Sequence, residues 1–234
     1  MSRIVLHCAP HPDDETIGAP ATLMALRDAG WRVVNLACGL GGPDRRRQRE
    51  AELREACLRA RFELRLSGGL DPRAAVREAI AALRPEVVVS PGPHELHPAH
   101  VLVAGAVREA LGALGDGAPR WWMWAVWGSL RQPTLATPFG PSRMEEVLAA
   151  LEAHEGELVR NDYRRLVEGR ATMSASLAPE LLFGFGSPAD SGVDYAELLT
   201  EAVPRGGRWL LGRPRWLDGR AALAPPGEIE ALVG

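Results

Sequence analysis

Three observations predict an α/β fold with a mostly parallel sheet flanked by helices. Short apolar runs with little polar alternation, Ile4-Val5-Leu6, Val33-Val34 and Val87-Val88-Val89, suit strands covered on both faces. Stretches with helical spacing separate these runs. The alternation of the two at this interval argues for βαβ units and a Rossmann-like, doubly wound sheet. No repeat, linker or low-complexity tract interrupts the chain, so residues 1–234 are expected to form a single domain.

The elements follow in order. Ile4 to Cys8 reads as the first strand, and residues 18–29 as a helix stopped by Gly30. Arg32 to Cys38 is the second strand, followed by the glycine loop 39–42. Pro43 to Ala60 is a helix dense in Arg and Glu. Phe62 to Leu66 is a third strand. Asp71 is placed to cap the helix that runs to Leu83, with Pro72 in its first turn. Glu86 to Ser90 is a buried strand, residues 91–100 a loop, and Val101 to Leu114 a helix. Arg120 to Trp127 reads as a strand with a thick aromatic face, a sugar-stacking wall or a subunit contact in a homo-oligomer. Residues 131–141, with three prolines, read as a loop or lid, and Ser142 to Leu158 as a helix. Beyond residue 159 no long period is visible.

Composition narrows the function classes. The apolar fraction of 46% and charged fraction of 24% are ordinary for a soluble globular chain. A net charge of -3 gives no nucleic-acid footprint. All 27 basic residues are arginine, which excludes a Schiff-base lysine and the lysine of a phosphate-binding P-loop. Cys8, Cys38 and Cys57 lack zinc-type spacing and read as reduced, buried thiols of a cytoplasmic protein. Neither a signal peptide nor a membrane span is visible.

Chemistry concentrates in two short segments. Ala9-Pro10-His11-Pro12-Asp13-Asp14-Glu15 leaves the first strand, where a helix begins. Three adjacent carboxylates repel one another unless a cation neutralises them. His11 and Asp14 are ligand types suited to zinc, and Asp13 is placed to act as a base on water activated by the metal. A polar loop capping a helix is the plainer alternative. His94-Glu95-Leu96-His97-Pro98-Ala99-His100 leaves a second buried strand, and five of six histidines fall in two short clusters, His7 and His11, then His94, His97 and His100. Segments leaving the C-terminal ends of parallel strands face one crevice. His11, Asp14 and one histidine of the second segment would then supply a two-histidine, one-carboxylate set.

The first segment resembles the AHPDDE signature of the PIG-L/LmbE family of zinc-dependent N-deacetylases. His97-Pro98-Ala99-His100 resembles the family's second signature, H-P-D-H. The resemblance implies that His11, Asp14 and His100 bind zinc or iron(II), and that Asp13 is the general base. It implies that His97 stabilises the oxyanion or protonates the leaving amine, and that Arg49 contacts substrate. Glu15 and Glu95 are expected to support this set from outside it. The implied substrate is a small N-acetylated amino sugar of the N-acetylglucosamine type. An amidase on another sugar- or thiol-linked amide, and a catalytically impaired metal- or sugar-binding relative, remain the alternatives. Ala99 departs from the family's usual Asp, for which Glu95 is the candidate substitute. The later H-x-S-Q pattern keeps only His154.

Overall fold

A computed structural model describes residues 3–188 and 192–217. The elements run β1 (Ile4–Ala9), α1 (Asp14–Ile17), α2 (Pro20–Asp28), β2 (Arg32–Ala37), α3 (Pro43–Ala60), β3 (Glu63–Leu66), α4 (Pro72–Leu83) and β4 (Val87–Pro91). Then follow α5 (Pro98–Leu114), β5 (Arg120–Trp124), β6 (Leu135–Phe139), α6 (Pro141–Leu151), α7 (Glu155–Leu158), α8 (Tyr163–Phe183), β7 (Tyr195–Arg205), β8 (Arg208–Leu211) and β9 (Arg215–Trp216). The expected span of 1–234 and the reading of the N-terminus lie partly outside the described residues.

The sheet order is β3-β2-β1-β4-β5-β7-β6-β9, with β8 beside β7. From β3 to β5 every pairing is parallel, and β7 then runs antiparallel to β5, β6 and β8. The expected α/β class therefore holds, with a mixed extension on one side. The chain leaves β1 for β2 on one flank and returns to β4 on the other, so the crevice beyond β1 and β4 is the switch point where such sheets bind ligands.

Period-two alternation sends successive side chains into two separate cores. Val5, Trp122 and Trp124 enter one core, beside Leu23, Leu53 and Met144. Leu6, Trp121 and Met123 enter the other, beside Val76, Ile80 and Val107. Asp71 caps α4 by accepting from the backbone N–H groups of Arg73 at 2.9 Å and Ala74 at 3.2 Å.

Four expectations change. The helix placed at 18–29 is α2, which runs Pro20–Asp28 because the chain turns at Gly18 and Ala19, and an unexpected short helix, α1, precedes that turn. Helix α5 starts at Pro98, so His97 is its N-cap and His100 lies in its first turn, not in a loop. Residues 135–139, read as part of a proline-rich loop or lid, form strand β6. Pro138 is tolerated there because β9 pairs only with Leu135 and Ala136, leaving β6 an edge at the proline. The helix read at 142–158 stops at Leu151, and His154 sits between α6 and α7.

Gly18 is where the motif loop meets the core. A Cβ there would stand 2.6 Å from Trp124 Cε2 and 2.8 Å from the Asp14 carbonyl oxygen. Gly18→Ala should therefore lower stability by about 1–3 kcal/mol, the usual effect of overpacking. Chemical denaturation checks it: an unchanged midpoint would show that Trp124 can give way.

Candidate active site

The two histidine-bearing segments converge at the switch point. The rings of His11 and His97 lie 4.6 Å apart, His11 and His100 5.3 Å, and His97 and His100 5.0 Å, centroid to centroid. Each of the three offers a ring nitrogen within 4.8 Å of the others. Asp14 lies among them: its Oδ2 is 3.3 Å from His11 Nδ1, and its Oδ1 is 3.3 Å from His100 Nε2. The His11 backbone N–H also donates to Asp14 Oδ2 at 2.8 Å.

Charge in this cluster follows from burial and pairing. Burial works to raise the Asp14 pKa, but hydrogen bonds from His100 and His11 hold it well below the usual carboxylate range. Burial works to lower His100, yet Asp14 and Glu95 lift it to about 9. In the metal-free chain a proton on His100 thus supplies the cation that Asp14 needs. Asp13 is pushed up, first by burial, then by the charges of Asp14, Glu15 and Glu157, with Arg49 opposing. His97 is lowered by burial and by the neighbouring His11 and His100.

The donor set fits a divalent ion. His100 Nδ1 is buried without a hydrogen-bond partner, 3.7 Å from Glu95 Oε1. A metal on Nε2 would leave an N–H on Nδ1 facing that carboxylate, the usual outer support of a metal-bound histidine. His97 is differently committed: its Nδ1 accepts the Ala99 backbone N–H at 3.2 Å, capping α5. That leaves the ring proton on Nε2, which makes His97 a donor to the cavity and a poor ligand. His11, Asp14 and His100 together offer two imidazoles and one carboxylate, donor types that suit a divalent ion such as zinc.

Glu95 does not replace the Asp absent at position 99. It faces His100, not His97, and its carboxylate accepts the backbone N–H groups of Val126 at 2.5 Å and Trp127 at 3.0 Å. His7 is set apart too. Its Nδ1 bonds Asn35 Oδ1 at 2.8 Å and its Nε2 accepts from Trp124 Nε1 at 3.2 Å, so both nitrogens are spent in the core. Trp124 in turn lies edge-on to His100, with centroids 5.3 Å apart, as the floor of the cluster.

The cluster opens into a cavity of about 370 Å³, of a size that holds a sugar ring. Asp13, Arg49 and Trp127 line it with the three histidines and Asp14. Arg49 donates to the Pro12 carbonyl at 3.2 Å and lies 3.3 Å from Glu157. Of the Arg-rich first turns of α3, Arg45 also reaches the cavity, 3.5 Å from Glu157. The tryptophan segment divides: Trp121, Trp122 and Trp124 are core, and only Trp127 reaches the cavity. Sequence reasoning missed Glu157, Arg160, Asn161 and Tyr163, which complete the wall. The single cue was their closeness to His154.

Fold and site together define a Rossmann-like α/β protein with a metal-capable cluster at its switch point. Residues 6–111 match the family described as PIG-L: GlcNAc-PI de-N-acetylase. Among curated proteins, no sequence matches. Solved structures share the fold at low identity. A conserved protein from Thermus thermophilus is 20% identical, with TM-score 0.65, covering 87% of this chain and 94% of its own. N,N'-diacetylchitobiose deacetylase from Pyrococcus horikoshii is 18% identical, with TM-score 0.63, covering 86% and 84%. GalB, the 4-carboxy-2-hydroxymuconate hydratase from Pseudomonas putida, is 14% identical, with TM-score 0.66, covering 87% and 97%. Among the described residues no helix is long and apolar enough to cross a membrane.

Proposed function

We propose that this protein is a metal-dependent amide hydrolase that removes an acetyl group from a small N-acetylglucosamine-type substrate. The observation that carries the reading is one carboxylate, Asp14, set 3.3 Å from both His11 and His100, with Asp13 in the same cavity. The PIG-L family match supports it, as does the deacetylase of the same fold. His11, Asp14 and His100 would hold the ion, and two histidines with one carboxylate favour zinc. When bound, the ion polarises the amide carbonyl and lowers the pKa of attacking water.

The chain's own residues do the rest. Asp13 takes the proton as water attacks the carbonyl carbon. His97, with its proton on Nε2, donates a hydrogen bond to the developing oxyanion, a term worth about 3–4 kcal/mol. Because its Nδ1 is occupied by the Ala99 N–H, His97 acts here as a neutral donor and not as the acid. When the C–N bond breaks, the proton held by Asp13 passes to the amine nitrogen, and acetate and amine leave. Trp127 offers an apolar face to the sugar ring, and Arg49 holds its polar substituents.

The test is acetate release from a panel of N-acetylglucosaminyl compounds by zinc-reconstituted protein. At least one should be turned over, and none of several metal-free controls should be. A panel that yields no acetate rejects the reading. The hydratase of the same fold supports a second one, water addition to an alkene; an unsaturated hydroxy acid in the same panel separates the two.

A further inference from the structure

Asp13 adopts a backbone conformation that non-glycine residues rarely take, with φ 119° and ψ -26°. Such strain persists only where surrounding contacts impose it. On one side the Asp13 carbonyl accepts from Thr16 N at 2.8 Å, Ile17 N at 3.0 Å and Thr16 Oγ1 at 2.8 Å. On the other, the Asp13 N–H donates to Glu15 Oε2 at 3.2 Å. The second oxygen of Glu15 lies 2.5 Å from His154 Nε2, and both side chains are fully buried. Neither touches the cavity or the metal-capable cluster. A fully buried hydrogen-bonded polar pair away from the cavity costs desolvation that an apolar filling would avoid.

We infer that Glu15 and His154 are positioning residues: together they clamp the Asp13 N–H and hold its carboxylate in line with the reacting amide. The inference rests on the proposed function for the role of Asp13. The geometry explains why a distant residue takes part. His154 sits in the α6–α7 turn, where its carbonyl accepts from Glu157 N and Leu158 N, both at 3.0 Å. The turn is therefore rigid, and its imidazole fixes the Glu15 side chain. Rotating φ of Asp13 back to the ordinary range would swing its N–H away from Glu15. The carboxylate would then leave its place beside Asp14.

The discriminating variant is the apolar pair Glu15→Leu with His154→Phe. Replacing both partners of a buried hydrogen bond by apolar groups of similar shape is often nearly neutral for stability, but it leaves the Asp13 N–H without its acceptor. The expected result is a folded protein with unchanged zinc stoichiometry and KM. Its kcat should fall ~100-fold, the scale of a misplaced catalytic group. Glu15→Gln, which keeps an acceptor oxygen, should retain most of the activity. A crystal structure of the metal-free apolar pair should show Asp13 φ back in the negative range. If the pair does not fold, His154→Ala carries the same readouts. Asp13 unmoved at positive φ, or full kcat in the apolar pair, overturns the clamp. The crystallographic readout is independent of turnover, so a wild-type protein that cuts no amide sinks the functional reading alone.

Discussion

Asp13→Asn is expected to bind zinc with wild-type stoichiometry and to lose ~10²–10⁴ in kcat, the range assigned to a positioned general base. Asn keeps the shape of the side chain and tolerates positive φ better than most residues, so the strained loop survives. What disappears is the proton acceptor and, with it, the proton later given to the amine. The proposed metal set is untouched, since Asp14 contacts His11 and His100. Steady-state kinetics with metal analysis on one preparation decides the matter; full activity would remove Asp13 from the mechanism. A second effect has the opposite sign. Burial and the acids around it raise the Asp13 pKa in the metal-free fold. Folded Asp13 therefore resists ionisation, and stability falls as pH rises from the unfolded value, ~4, through the folded one. Asn removes that penalty, so the metal-free variant should melt higher than wild type at neutral pH.

The parts legible in the sequence were those in which one contiguous stretch carries its own signal. Val87-Val88-Val89 announces a covered strand whatever packs on it, and Asp71-Pro72 announces a helix start. His11, Asp13 and Asp14 stand within four residues, and the rule that ligands bind beyond parallel strands brings one histidine of the second segment to them. Other features depend on partners far away in the chain. Pro138 argues against a strand until β9 is known to end before reaching it. Helix α8 carries Gly169 and Pro179, and its buried residues include small Ala171 and Ala178, so its apolar period is faint. Glu157 and Arg160 have no local mark. They belong to the cavity because α7 packs beside α3, where Arg45 and Arg49 meet Glu157, which also pairs with Arg160. His97 shows the same limit at one residue. Its motif position suggested an oxyanion donor or an acid, and the Ala99 N–H on its Nδ1 favours the proton on Nε2.

Loss of zinc is the expected result of His100→Ala, and it should exceed the ~10–100-fold weakening typical of losing an outer partner of a metal ligand. His97→Ala is the necessary control. All three imidazoles cluster within 4.8 Å, so a site built from His11, His97 and His100 would lose zinc in both variants. The reading built on Asp14 predicts zinc lost without His100 and kept without His97. Zinc stoichiometry on refolded, dialysed protein distinguishes these patterns; retention in the His100 variant rejects His100 as a ligand. Proton competition gives an independent check. His100 in the metal-free fold is raised to about 9, held there against burial by Asp14 and Glu95. Metal must displace that proton, so apparent zinc affinity should climb as pH rises towards 9 and level off above it. The stability that protonated His100 lends the metal-free fold has the reverse profile. It is fully present below the unfolded histidine value, ~6.5, and is lost as pH rises through the folded one. Removing the ring also strands Asp14 as a buried carboxylate with His11 as its remaining imidazole partner, and breaking such a pair costs about 3–5 kcal/mol. The metal-free His100→Ala protein should therefore melt well below wild type at neutral pH, and the gap should narrow at higher pH, where wild type loses the same support.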